Sequence, residues 1–117
     1  MGARNFETGY LLGITYLKLN DLAHADLLFH EMVSGLGDTA QIHMYLGRAY
    51  RDGGFVERAV EELKKAVTKD PAASQVHYFL GLAYLGRDGD SGFAEAIPEF
   101  QVELKKNPND YRSRYLL

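Results

Sequence analysis

Three Leu-Gly dipeptides recur at a fixed interval: Leu12-Gly13, Leu46-Gly47 and Leu80-Gly81 stand 34 residues apart, and Tyr16, Tyr50 and Tyr84 follow each glycine by three. Such a period constrains a chain more than local propensity does, because each copy must fold as the same small unit and bury its apolar face against its neighbours. A second set keeps the phase. Ala25 and Ala59 are 34 apart and Ala96 follows 37 later, with Phe29, Leu63 and Phe100 at the same intervals. The three extra residues mark an insertion in the third copy. Its place is the glycine-rich run from Gly86 to Gly92, since the first two copies cross between helices at the shorter Leu19-Asn20-Asp21 and Asp52-Gly53-Gly54. Extra length in such a turn costs little closure entropy.

Within each copy, apolar residues step at helical spacing. Val56, Val60, Leu63 and Val67, with Ala59 and Ala66 beside them, form one stripe, and Leu22, Ala25, Phe29 and Met32 form its counterpart. Gly35 with Gly37, Asp70-Pro71 and Asn107-Pro108 supply the stops. Each copy therefore reads as two helices of about 12 to 14 residues. A glycine inside a helix costs about 1 kcal/mol relative to alanine, so Gly13, Gly47 and Gly81 require a compensating contact. The expected contact is close helix approach, with the small Ala25, Ala59 and Ala96 opposite the glycines and the tyrosines filling the space one turn on. The segment from Val76 to Leu85 is apolar on nearly every side. It needs cover on more than one face, from a ligand, a second copy or further repeats.

The order Leu-Gly-x-x-Tyr, then Ala, then a large apolar residue, then Pro resembles the tetratricopeptide repeat. The resemblance runs through nearly the whole chain and is fullest from Ala40 to Ala73, where Leu46, Gly47, Tyr50, Ala59, Leu63, Ala66 and Pro71 all hold family positions. It implies an all-α fold, a right-handed α-solenoid of three helix-turn-helix units at about 6–39, 40–73 and 74–109 within one domain, 1–117. Pro108 closes the third unit, and residues 110–117 open a truncated or capping helix, as expected of a piece of something longer. The chain departs from the family pattern at Gly9, His43 and His77, where Trp is frequent, at Gly37 in place of Pro, and at Glu103, where a small residue is usual.

The resemblance further implies that the first helices line a concave groove for peptides or partner helices, making the chain a protein-binding scaffold or adaptor. Groove positions by the family's geometry are Glu7, Tyr10, Ile14, Leu17 and Lys18, then Gln41, Met44, Arg48, Arg51 and Asp52, then Gln75, Tyr78, Leu82 and Leu85. Apolar anchors on the ligand and an acidic residue meeting Arg48 and Arg51 would suit that surface. The bland alternative for both arginines is solvation or an intrahelical pair. One subclass clamps the terminal carboxylate of chaperone tails, but the corresponding positions here are Tyr10, Ile14, Tyr45, Gln75 and Phe79, so no such clamp is expected. Two other readings stay open: a self-association module forming a homodimer, and a regulatory repeat segment of a larger enzyme.

The remaining features narrow the classes. A formal net charge of −3 provides no basic field for nucleic acid. No run approaches the roughly 20 apolar residues of a membrane span, and the start lacks a signal-peptide core, so a soluble chain with no membrane partner is expected. The absence of Cys leaves the compartment open, leaning to the cytoplasm. His43 and His77 hold equivalent positions, yet no third ligand stands at helical spacing beside them, which favours packing over metal. Asp88 to Gly92 lacks the spacing of a calcium loop, and its glycines do not form a phosphate cradle. Without H-E-x-x-H, G-x-S-x-G or a Cys nucleophile, and with Glu57, Glu61 and Glu62 on a solvated face, no catalytic residues and no cofactor are expected.

Overall fold

In the computed structural model, which describes residues 5–88 and 92–106, the copies fold as pairs of helices. They are α1 (Phe6–Lys18) with α2 (Leu22–Leu36), α3 (Ala40–Asp52) with α4 (Val56–Lys69), and α5 (Val76–Asp88) with α6 (Phe93–Lys106). No strand occurs among the described residues. The body is elongated, 43 × 26 × 20 Å, as expected when each pair stacks on its neighbour. This is an all-α helical repeat solenoid. Residues 89–91, within the expected insertion, together with Pro108 and the expected helix at 110–117, lie outside the described residues.

Local chemistry sets the helix ends. Asn5 Oδ1 accepts from the Thr8 amide at 2.8 Å, Asp21 Oδ1 from His24 at 3.2 Å and Thr39 Oγ1 from Ile42 at 3.2 Å, each satisfying an amide that the first turn leaves open. The repeat tyrosines close the first helices through their backbone: Asp21 N donates to Tyr16 O at 2.8 Å and Phe55 N to Tyr50 O at 2.9 Å. Both bonds span a corner where the chain turns left-handed, at Asn20 (φ 62°) and Gly54 (φ 89°), positions one period apart. Asn and Gly are the residues that accept this backbone at low cost.

The glycines seat the large apolar residue of the second helix. A Cβ built on Gly47 would lie 2.5 Å from Leu63 Cγ, one on Gly81 would lie 2.7 Å from Phe100 Cε1, and one on Gly13 would overlap the Phe29 ring. The partner of each glycine is thus the Phe29, Leu63, Phe100 set and not the alanines expected from the sequence. Ala25, Ala59 and Ala96 are buried in the same core at 0 to 1% exposure. Tyr50 and Tyr84 are buried as well, while Tyr16 is half-buried and stacks on His24 with centroids 5.1 Å apart.

Seams between pairs differ. α4 runs along α5, and Ala66 of α4, Ala73 of the connection and Val76 of α5 share a small apolar cluster with Ala40 of α3, with Val67 packed beside them. α2 approaches α3 less closely, leaving a cleft of about 490 Å³ whose walls include Asp26, Phe29 and Val33 of α2, His43, Leu46 and Tyr50 of α3, and Arg58 of α4. The apolar α5 is flanked by α3, α4 and α6. These neighbours bury most of its side chains, while Leu82 and Leu85 stay half-buried.

The departures from the family pattern have local explanations. Gly9 makes room for Met32, whose Sδ would stand 2.8 Å from an added Cβ. His43 and His77 are buried and repeat one arrangement: Nδ1 of each lies 2.7 Å from a second-helix carboxylate, Glu62 or Glu99. His43 Nε2 lies 2.5 Å from Asp38, and His77 Nε2 donates to the Pro71 carbonyl at 3.1 Å. Among the described residues, no group of three or more His, Asp or Glu side chains is placed to hold a metal ion. Glu103 is fully buried, with Lys106 Nζ 3.7 Å away.

Candidate functional site

The first helices of consecutive pairs bring five side chains into one strip. On α1, Phe6 and Tyr10 stack at 5.3 Å between centroids. Tyr45 of α3 meets both, tilted against Phe6 at 5.0 Å and edge-on to Tyr10 at 5.9 Å. One turn along α3, the Arg48 guanidinium carbon sits 5.8 Å from the Tyr45 ring centre and 4.5 Å over Phe79 of α5. Three rings, the Arg48 cation and a fourth ring therefore follow one another from α1 through α3 to α5. Tyr45 is 41% exposed, so the strip faces outward at its middle. Burial pushes the Tyr10 phenol above its ordinary pKa, and the Arg48 charge partly offsets that, placing the cation electrically close to α1.

The expected groove residues divide. Glu7, Lys18, Gln41 and Asp52 are exposed, and Tyr10, Ile14, Met44, Arg48, Arg51, Gln75, Leu82 and Leu85 are half-buried. Leu17 (3% exposed) and Tyr78 (9%) are buried, correcting their placement in an open groove. Leu17 packs on the end of α3, where an added Cβ on Gly53 would lie 3.1 Å from its Cβ. Tyr78 packs edge-on to Phe79 at 5.2 Å and near Phe100 at 6.1 Å. Arg51 adopts the bland alternative, Nη2 reaching the adjacent Asp52 at 3.1 Å, whereas Arg48 has no carboxylate partner among the described residues.

Three members of the strip, Phe6, Tyr45 and Phe79, lie outside the groove positions expected from the sequence. Phe6 is not a groove position in the family pattern, Tyr45 and Phe79 stand at clamp positions, and Phe79 also lies on the apolar segment from Val76 to Leu85. A signal existed: Leu11, Tyr45 and Phe79 repeat at 34 residues, each one position after an expected groove residue, and Leu11 is 57% exposed. Only the rotation of one pair against the next reveals which of two adjacent positions stays open.

A second polar cluster lies across the cleft. The Asp26 carboxylate accepts from Tyr50 Oη at 2.5 Å and from Arg58 Nη2 at 2.8 Å and Nε at 3.1 Å. Partial burial raises the Asp26 pKa, but the hydrogen bonds from Arg58 and Tyr50 outweigh it and hold the carboxyl below its usual range. Burial and the same contact push the Tyr50 phenol well up. These groups satisfy one another and tie α2 to α3 and α4.

A family model described as Tetratricopeptide repeat matches residues 44–111, more than half of the chain. The chain is also similar to the Antiviral innate immune response effector IFIT1 of Macaca fascicularis, at 31% identity over 83 residues, covering 68% of this chain and 17% of that protein. The protein of the same name from Homo sapiens is 30% identical over 83 residues, covering 68% and 17%. Protein IFIT1 homolog B of Homo sapiens is 30% identical over 83 residues, covering 68% and 18%. The matched stretch spans less than a fifth of each of these relatives.

Proposed function

Because the chain belongs to the tetratricopeptide repeat family, we propose that it binds a partner protein or peptide along the strip formed by α1, α3 and α5, with the units at 6–39, 40–73 and 74–109 acting as one scaffold. Repeats of this family mediate protein–protein interaction and generally carry no catalysis. Among the described residues, no helix is long and apolar enough to cross a membrane. The observation that supports the finer reading is the strip itself. Three successive first helices contribute Phe6, Tyr10, Tyr45, Arg48 and Phe79 to one continuous line of rings around a cation, with Tyr45 open to solvent. Aromatic and arginine groups dominate protein recognition because they contribute large area at low entropic cost. We read the site as non-catalytic and without a chaperone-type carboxylate clamp, since uncharged side chains hold the corresponding positions. The antiviral role in the relatives' names belongs to proteins more than five times the length of the shared stretch, and the repeat scaffold is what this chain has in common with them.

The test is affinity capture with the wild-type chain and a Tyr10→Ala, Tyr45→Ala variant, scored by mass spectrometry. Partners retained by the wild type and lost by the variant support the reading. An identical capture profile from a folded variant removes it.

A second reading, homo-oligomerisation, is favoured by exposed apolar side chains at both ends of the array: Leu11, Leu19 and Leu27 on the first pair, exposed by 57, 71 and 59%, and Phe93 and Ile97 on α6, exposed by 52 and 40%. Sedimentation over a concentration series separates the two readings, since a monomer at high concentration removes self-association.

A further inference from the structure

Resting on the reading that this strip binds a peptide, we propose that the Arg48 guanidinium anchors a carboxylate of the bound segment. The partner is then an acidic-aromatic peptide, with an Asp or Glu within four residues of a large apolar side chain.

The argument begins with unmet charge. Four arginines lie among the described residues, and three hold a carboxylate: Arg51 with Asp52 at 3.1 Å, Arg58 with Asp26 at 2.8 Å and Arg87 with Glu95 at 2.6 Å. Arg48 has no such partner among the described residues, although the chain carries an excess of acidic groups. It is half-buried and positioned over the Phe79 ring at 4.5 Å. A cation–π contact of this kind engages the guanidinium without consuming its in-plane N–H donors, which remain able to form a two-point pair with a carboxylate. The ring also fixes the side chain in advance, so less rotamer entropy is lost when an acid arrives. Asp52, the nearby carboxylate on the same helix, is taken by Arg51.

The rings set the spacing of the ligand. The Tyr45 centroid is 5.8 Å from the guanidinium carbon, and the Tyr10 centroid is 5.9 Å from that of Tyr45. Alternate side chains of an extended strand repeat at about 6.8 Å on one side, and neighbours three or four apart on a helix stand about 5 to 6 Å from one another. Either backbone places an acid at Arg48 and an apolar group on the Tyr45, Tyr10 and Phe6 rings when the two lie two to four residues apart.

The probe is a phage-displayed library of random dodecapeptides, selected in parallel on the wild-type chain and on Arg48→Met. Each protein is first checked for an unchanged helical spectrum and melting temperature. Peptides enriched on the wild type are expected to carry Asp or Glu two to four residues from Phe, Tyr, Trp or Leu. Arg48→Met is expected to lose the acid preference and keep the apolar one. In fluorescence titrations at low salt, Arg48→Met and a Glu→Gln change in the best peptide should each weaken binding at least about fivefold, with no further loss when combined. If Arg48→Met does not fold, Arg48→Gln takes its place. Enrichment of apolar peptides without acids, or an acid preference that survives loss of Arg48, overturns this inference and leaves the binding reading standing. No enrichment on the wild type overturns both.

Discussion

The Tyr50 hydroxyl on α3 donates to the Asp26 carboxylate on α2 across the seam between the first and second helix pairs. One period later the position of Asp26 is held by Val60, which is buried at 3% exposure. At this position the two seams therefore differ, the first holding a satisfied polar cluster and the second an aliphatic side chain.

Asp26→Ala leaves the Tyr50 donor and the Arg58 cation without their acceptor. An unsatisfied buried donor costs about 1–3 kcal/mol, whereas the half-exposed Arg58 contact adds only about 0–1 kcal/mol. The expected result is a melting temperature lower by several degrees for Asp26→Ala and a smaller drop for Arg58→Ala, measured by circular dichroism at neutral pH. Equal drops would assign the stability to the ion pair instead.

The same carboxylate predicts an acid dependence. Its folded-state pKa lies below the ordinary aspartate value of about 3.9, so its contribution is complete above that value and is lost as pH falls through the lower, folded one. Wild type should exceed Asp26→Asn in melting temperature at pH 7, and the gap should close below about pH 4. A gap that is constant from pH 7 to pH 2 contradicts the assignment.

Glycine substitutions should split by position. Gly47→Ala gains up to about 1 kcal/mol of helix propensity, but its Cβ meets Leu63 Cγ at 2.5 Å, so a net loss is expected, and Gly47→Leu should cost at least about 1–3 kcal/mol. Gly35→Ala, with nothing within 4 Å of the added carbon, should leave stability unchanged or raise it. Denaturant melts of the three variants decide the matter. A Gly47→Leu protein as stable as wild type would refute the packing described for this pair.

His77→Ala removes the ring that links the Pro71 carbonyl to Glu99. Both partners are partly shielded, so a loss of about 1–3 kcal/mol is expected. His24→Ala, which removes an exposed ring, should change stability by less than about 0.5 kcal/mol. Parallel urea melts compare them.

Much of the architecture was legible because it is local and repeated. The Leu-Gly-x-x-Tyr phase locates the helix pairs, and the corners at Asn20 and Gly54 follow from which residues tolerate positive φ. What escaped depends on how one pair is rotated against the next. Leu17 and Tyr78 occupy positions that open onto a groove in the family geometry, yet here both are closed over by neighbouring side chains. Tyr45, one residue from such a position, stays open. Asp26 was unreadable as a seam residue because an aspartate on a second helix looks like any solvated charge until Tyr50 and Arg58, 24 and 32 residues away, are brought to it.

The unequal seams imply an order of mechanical failure. Under tension applied at its two ends, the array should give way first between α2 and α3, where a handful of directional bonds can snap after a short extension. The tongue-and-groove fit of α4 on α5 must slide farther before it lets go. The first pair would then swing free as a unit, carrying Phe6 and Tyr10 away from Tyr45, so the same rupture that lengthens the chain would dismantle its recognition strip.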